Sequence, residues 1–207
     1  MDEPREAERH RLVGGVLCLD FANTLNGHDR TPHHEYLHDY RDLVLWGRHA
    51  GSLSEEEAEV LLGEATRRPA EAEAVYSLGL ELRETIFRLF SSMAKGEKAN
   101  AGDLEHLGAA WRAGQAHVHL APAAGGFRLG WDDEPCLEHL LRTVSASAVV
   151  LLISGALPRV RMCAGVRCDW LFVDTSRNHL RRWCSMDECG NHAKMQRRRE
   201  RRKPAPT

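Results

Sequence analysis

The sequence predicts a mainly α protein in two parts: a helical N-terminal domain with one small β-hairpin over residues 1–157, and a small C-terminal module over 158–207. Three observations predict it. Apolar residues recur at steps of three and four through several segments that start at capping signals, as amphipathic helices require. One Ala-Pro-Ala-Ala-Gly-Gly stretch, 121–126, lies between two short apolar runs at hairpin spacing. The charge also changes sign at Pro158. Residues 159–207 hold 13 Lys plus Arg against 5 Asp plus Glu, whereas residues 1–158 hold 15 against 25, beneath an overall net charge of −2.

The elements follow in order. Leu17 to Leu25 starts as an apolar run and ends in Asn23 and Thr24; it suits a short buried strand or a first helical turn, and periodicity does not decide between them. His28, His33, His34 and His38 surround Pro32 in a stretch read as a loop entering a helix. It has no cysteine and no His-Glu-x-x-His pattern, so exposed histidines are expected there rather than metal ligands. Tyr36 to Ala50 spaces Tyr36, Leu37, Tyr40, Leu43, Val44 and Trp46 as a helix ending at Gly51. Ser54 with Glu57 forms a capping-box pair that opens a second helix through Leu61 and Leu62. Pro69 suits the first turn of a third, running to about Ala94, with Ala74, Leu78, Leu82, Ile86, Leu89, Phe90 and Met93 as its core stripe. A helix over 100–113, the hairpin of 118–120 with 127–131, and a last helix over 135–154 complete the domain. Pro158 marks the expected hinge.

With 207 residues, 43% hydrophobic and 28% charged, the chain has the composition of a soluble globular protein, not a collagenous or disordered one. Area scaling predicts that folding buries roughly 70% of its unfolded surface, enough for one substantial core and an appendage. The longest apolar stretch, Ala146 to Ile153, is far below the ~20 residues of a membrane span, and residues 1–11 are charged where a secretory signal is apolar. A cytoplasmic protein with reduced cysteines is expected. No phosphate loop, Gly-x-Gly-x-x-Gly or Gly-x-Ser-x-Gly elbow occurs, so no enzyme is expected. Asp20, Asn23, Thr24, Asp39, Trp46 and Arg83 can line a pocket for a small-molecule effector; they can equally serve as caps, buried hydrogen-bonding partners and a surface ion pair, which is the favoured expectation.

Six cysteines occur, and four make two matched pairs: Cys163-x4-Cys168-x15-Cys184-x4-Cys189. Thiolates are soft donors suited to zinc, and fifteen intervening residues can form a hairpin and return. One structural Zn2+ per chain is expected, in a finger of hairpin plus helix whose ~30 residues have too little core to fold without metal. Four protein ligands close the shell, whereas a catalytic zinc keeps one position open. An iron–sulfur cluster would use the same donors, but its usual crowded ligand runs are absent. Trp170, Phe172, Leu180 and Trp183 are expected to pack around the metal, and Cys18 and Cys136 to be buried hydrophobes.

Between and after the pairs lie Trp170-Leu171-Phe172-Val173-Asp174, Ser176-Arg177-Asn178, Trp183-Cys184-Ser185 and Cys189-Gly190-Asn191-His192. On these, residues 163–203 resemble the CGNR zinc finger, with His192 in place of the signature Arg. Leu19-Asp20-Phe21-Ala22-Asn23-Thr24, Tyr40-Arg41-Asp42-Leu43 through Trp46, and Leu82-Arg83-Glu84-Thr85-Ile86 resemble the ABATE domain that precedes this finger. The resemblance implies a bacterial transcription regulator of stress responses, with the helical part as a sensor or homodimerisation module. The basic C-terminal part adds a contact with duplex DNA, or alternatively with RNA or a protein. Candidate contacts are Lys194, Arg197, Arg198, Arg199, Arg201, Arg202 and Lys203 along a terminal helix, and Arg177, Asn178, Arg181 and Arg182 from the central loop. Arg can fork onto phosphate or guanine, Asn178 or Asn191 can read adenine, and His192 would make a weaker or pH-sensitive contact.

Overall fold

The computed structural model describes residues 4–28, 32–115, 117–131 and 136–200. Helices dominate. A short α1 (Glu6–Arg9) precedes α2 (Leu17–Ala22), and the strands β1 (Leu25–Asn26) and β2 (His34–Glu35) pair antiparallel. The ambiguous run after Leu17 is thus helical, and it ends where Asn23 and Thr24 turn their side chains to other duties.

The helix α3 (Tyr40–His49) starts four residues later than the apolar spacing suggests. Asp39 is extended and its carboxylate accepts the Asp42 amide at 2.7 Å, which fixes the N-terminus there. In α4 (Glu55–Arg67) the capping box forms in both directions, with Ser54 Oγ accepting the Glu57 amide and Glu57 accepting the Ser54 amide. The long α5 (Pro69–Ala94) begins at its proline, and α6 (Ala101–Gln115) is capped by Asn100, which accepts the Gly102 and Asp103 amides. The hairpin β3 (Val118–Ala123) with β4 (Gly126–Trp131) turns on Ala124 and Gly125. The last helix of this part, α7 (His139–Ile153), starts beyond the expected Pro135, which lies outside the described residues.

α5 is the centre of the core. Its buried face runs Ala72, Val75, Gly79, Leu82, Ile86, Leu89 and Phe90, while Ala74 and Leu78 of the expected stripe are exposed. Gly79 explains the difference. A Cβ there would meet Leu141 at 3.3 Å and Leu43 at 3.5 Å, so the smallest residue sits where side chains of α3 and α7 press on α5. Phe21, Leu43, Trp46, Leu140, Val144 and Leu151 fill the space around this face.

The chain continues through a 3-10 turn (Leu157–Arg159) into β5 (Val160–Met162), which pairs antiparallel with β6 (Leu171–Val173) in the register Val160 to Val173 and Met162 to Leu171. A single π-helical turn (Met186–Gly190) then leads into α8 (Asn191–Glu200). Instead of a hinge at Pro158 there is continuous packing: Val160, Leu171 and Val173 are buried in the same apolar cluster as α2, α5 and α7. Polar contacts reinforce the seam. Asn23, fully buried, donates from Nδ2 to the Leu171 carbonyl at 2.9 Å and accepts the Leu171 amide on Oδ1 at 2.7 Å. The Val173 amide donates to the Gly14 carbonyl at 2.9 Å.

His10 completes the seam. The Trp46 indole N–H can only donate, so its 3.1 Å contact makes His10 Nδ1 the acceptor and leaves the ring proton on Nε2, which donates to the Asn23 carbonyl at 3.0 Å. Burial pushes His10 down to about 4, so the ring is neutral. Its faces meet Tyr36 and Trp170 edge-on at 4.9 and 5.2 Å between centroids.

Candidate metal centre

Cys163 follows directly on β5, its amide still bonded to the Trp170 carbonyl at 2.9 Å, so the ladder itself aims the first thiol. The chain turns back at Gly165, whose carbonyl accepts the Cys168 amide. A side chain at Gly165 would crowd the site, because a Cβ there would lie 3.1 Å from both Cys168 Cβ and Cys189 Sγ and these would have to give by a few tenths of an ångström. Cys184 is buried and donates its amide to Cys163 Sγ at 3.3 Å, and Cys189 comes from the π-helical turn.

The four sulfurs of Cys163, Cys168, Cys184 and Cys189 all lie within 4.8 Å of one another, with 3.7 Å between Cys168 and Cys184 and between Cys184 and Cys189. A tetrahedron with zinc–sulfur bonds of about 2.3 Å has edges of about 3.8 Å, so the donor set fits zinc. An iron–sulfur cluster divides its four thiolates among two or four irons and would spread the sulfurs further. Hydrogen bonds from Cys168 and Cys184 push the Cys163 thiol down, and the same bonds, by holding the donors' protons, push Cys168 and Cys184 up.

The loop between the cysteine pairs is held from inside. Asp174 is buried and accepts the Ser176 amide at 2.9 Å, the Ser176 hydroxyl at 2.6 Å and the Arg181 amide at 2.9 Å. Desolvation opposes its charge, but these bonds, led by that of the Ser176 hydroxyl, hold its carboxyl below the ordinary range. Arg181 also faces inward. Its guanidinium donates to the carbonyls of Trp183, Val13 and Cys184 and lies 4.3 Å above the Phe172 ring. Those contacts tie the finger to the N-terminal segment and leave Arg177, Asn178 and Arg182 as the exposed polar groups of the loop named from sequence. Asn191 donates to the Asp187 carbonyl at 3.0 Å, joining the π-helical turn to α8. On α8 His192, Lys194, Arg198 and Arg199 are exposed; Arg197 lies on its described backbone, and Arg201, Arg202 and Lys203 fall outside the described residues. Trp170 and Phe172 pack against the sulfurs with partly buried Trp183, whereas Leu180 is 75% exposed beside His179, which has a φ of 50°.

The pocket candidates of the helical part, Asp20, Asn23, Thr24, Asp39, Trp46 and Arg83, each have an internal partner. Asp20 accepts the Gly14 amide at 2.7 Å, and burial pushes its carboxyl up to about 6. Thr24 donates to the Phe21 carbonyl, Trp46 to His10, and Asp39 accepts from Arg5 as well as capping α3. Arg83, expected in a surface ion pair, is buried and bonds Glu35 through both Nη atoms at 2.6 and 2.8 Å. Cys18 is fully buried and its thiol is pushed up to about 12; Cys136 is only half-buried and donates to Glu138. His28 stacks on Phe87 and bonds Glu84 and the Ala22 carbonyl, which accounts for it without metal. Sequence reasoning missed Arg11, whose guanidinium reaches from the N-terminal segment to Ser185 and pairs with Glu188, two residues that flank Met186 and Asp187 in the finger. A lone Arg in a charged leader carries no signal for such a contact.

A helical body whose core extends into a four-cysteine, metal-binding finger defines a two-part zinc-finger protein. The chain belongs to the ABATE family, described as "Putative stress-induced transcription regulator", which matches residues 15–155; residues 159–202 match the CGNR zinc finger, in the same N- to C-terminal order. No curated protein matches the chain. Among the described residues no helix is long and apolar enough to cross a membrane.

Proposed function

We propose that the protein is a DNA-binding transcription regulator, not an enzyme, in which one structural zinc held by Cys163, Cys168, Cys184 and Cys189 fixes a basic finger against duplex DNA. The observation that carries this reading is the position of α8. It starts two residues after the last ligand, so metal binding fixes its root, and its exposed Lys194, Arg198 and Arg199 point the chain's positive charge outward. The acidic body would be repelled by phosphates, which confines the contact to this end. Arg177 and Arg182 on the loop supply a second strip of donors. The reading entails a cytoplasmic location, where thiolates stay reduced, and a sensing role for the helical domain, whose core is continuous with the finger.

Salt dependence tests it. Each neutralised phosphate contributes about 0.9 to the slope of log affinity against log salt, so replacing Lys194, Arg198 and Arg199 by Gln together lowers that slope by about 2 to 3, with zinc content unchanged. An unchanged slope and affinity would remove α8 from the contact. Tighter binding to single-stranded RNA than to duplex DNA would favour the RNA reading.

A further inference from the structure

Leu180 is the only hydrophobic residue between Asp174 and Arg182, and it is 75% exposed. Its neighbours on both sides are fixed. The His179 amide donates to the Ser176 carbonyl at 3.1 Å, the Arg181 amide donates to Asp174 at 2.9 Å, and three carbonyls hold the Arg181 guanidinium. The chain reaches Leu180 through His179 at a φ of 50°, a left-handed conformation that a residue with a Cβ keeps only where its surroundings impose it. The outward direction of Leu180 is therefore built into the loop.

Surface hydrophobic residues occur singly on most proteins, so exposure alone assigns nothing. The surroundings set this one apart. Arg177, Asn178 and Arg182 flank it and are exposed, and among the described residues no carboxylate pairs with Arg177 or Arg182. The Ala164 amide donates to the Arg182 carbonyl at 2.8 Å, which sets the first cysteine turn beside the loop, and Gly165 and Val166 of that turn share a cleft with His192 and Gln196 of α8. The loop thus borders the basic helix through the turn. A rigid apolar tip between arginines fits a partner that is anionic outside and apolar within. Duplex DNA is one, since its phosphates take the guanidinium groups and its base stack takes the tip. A lipid surface is the other, but docking there needs a whole apolar face, which one leucine does not supply.

We propose that Leu180 is a wedge that enters between two base pairs of duplex DNA and bends it, while Arg177 and Arg182 hold the phosphates on either side. The proposal rests on the DNA-binding reading and adds to it a deformation of the partner. An apolar side chain inserted in this way unstacks one step and kinks the duplex by about 20–90°. Flexible pyrimidine–purine steps and mismatched pairs resist least, so they are the preferred points of entry.

The test uses the zinc-loaded full chain and a mixed-sequence duplex carrying an energy-transfer pair at its ends, with and without one mismatched pair at its centre. The natural protein should bind the mismatched duplex about tenfold more tightly, because that step is already partly unstacked, and should raise energy transfer on binding. Leu180→Ala should bind the matched duplex with an unchanged salt slope, leave transfer at the level of free DNA and lose the mismatch preference. Leu180→Met, which keeps an apolar wedge, should restore both. Zinc content and unfolding midpoint, measured on each variant, should be unchanged because the side chain is exposed. Binding without a rise in transfer, or a bend and a mismatch preference that survive Leu180→Ala, would overturn the proposal and leave the DNA reading standing. Absence of duplex binding would overturn both. Leu180-dependent binding to phosphatidylserine vesicles, with the duplex left straight, would overturn it in favour of a lipid surface.

Discussion

Replacing Asn23 by Ala removes one amide group and orphans two others. Asn23 Nδ2 and Oδ1 are the partners of the Leu171 carbonyl and amide, at 2.9 and 2.7 Å, and Leu171 is fully buried. No water can take over at a residue with no exposed surface. An unsatisfied buried backbone group costs about 1–3 kcal/mol, so two of them, with the small cavity left by the side chain, should destabilise the protein by about 3 to 4 kcal/mol. For a chain of this length that corresponds to a fall of about 10 °C in Tm. Thr24→Val is the matched control: Thr24 is equally buried, its hydroxyl donates to the Phe21 carbonyl at 2.7 Å and accepts only a long 3.5 Å bond from Arg83 Nη1, which keeps Glu35, so the change should lose about 1 kcal/mol. Urea unfolding followed by circular dichroism in excess zinc measures both, with the metal content of the folded protein checked alongside. If Asn23→Ala stays within 1 kcal/mol of the natural protein, the helical domain and the finger are not joined through this side chain.

Cys184→Ser should abolish stoichiometric zinc, whereas Cys18→Ala and Cys136→Ser should leave it unchanged; elemental analysis of purified protein decides. Gly165→Ala should weaken zinc retention against a competing chelator by tenfold or more, because its methyl would lie 3.1 Å from Cys189 Sγ. Acid stability should show two opposing groups. His10, pushed down to about 4, is stabilising as the neutral ring above pH ~6.5, and that contribution is lost as pH falls toward 4. Asp20, pushed up to about 6, binds its proton more readily when folded, so its contribution rises as pH falls from 6 toward 4. Asp20→Asn should therefore lose about 1 kcal/mol more than the natural protein between pH 7 and pH 5, read as the difference in urea midpoints; equal losses would contradict the pairing.

What the sequence discloses is what local chemistry determines. The Ser54 and Glu57 box, Pro69 at a helix start and the matched cysteine spacings each act over a few residues, and each stands as read. The α5 stripe was only half legible, because large apolar residues draw the eye while Gly79 makes a close contact with α3 and α7. Leu180 is apolar but sits beyond a chain reversal at His179, and its outward position is set by Asp174 gripping the loop from behind. Arg181 reads like its neighbour Arg182, yet the first is half-buried, its guanidinium held by carbonyls, and the second is exposed. The joint between the halves was illegible altogether, since Asn23 and Leu171 stand 148 positions apart and nothing in either local pattern names the other.

That joint bears on how such a finger can be inherited. The two family matches part at residues 155–159, where a recombination event would cut most cleanly in sequence. A transplanted finger would arrive with the Leu171 and Val173 amides and the Leu171 carbonyl facing nothing, and with Val160 and Leu171 lacking the helices that cover them. A new host would have to present an Asn at the end of a short helix, a free carbonyl six residues before its acidic residue, as Gly14 stands to Asp20, and an apolar seat between helices. Few unrelated folds offer all three, so this finger and its helical domain should be exchanged between genes as one unit.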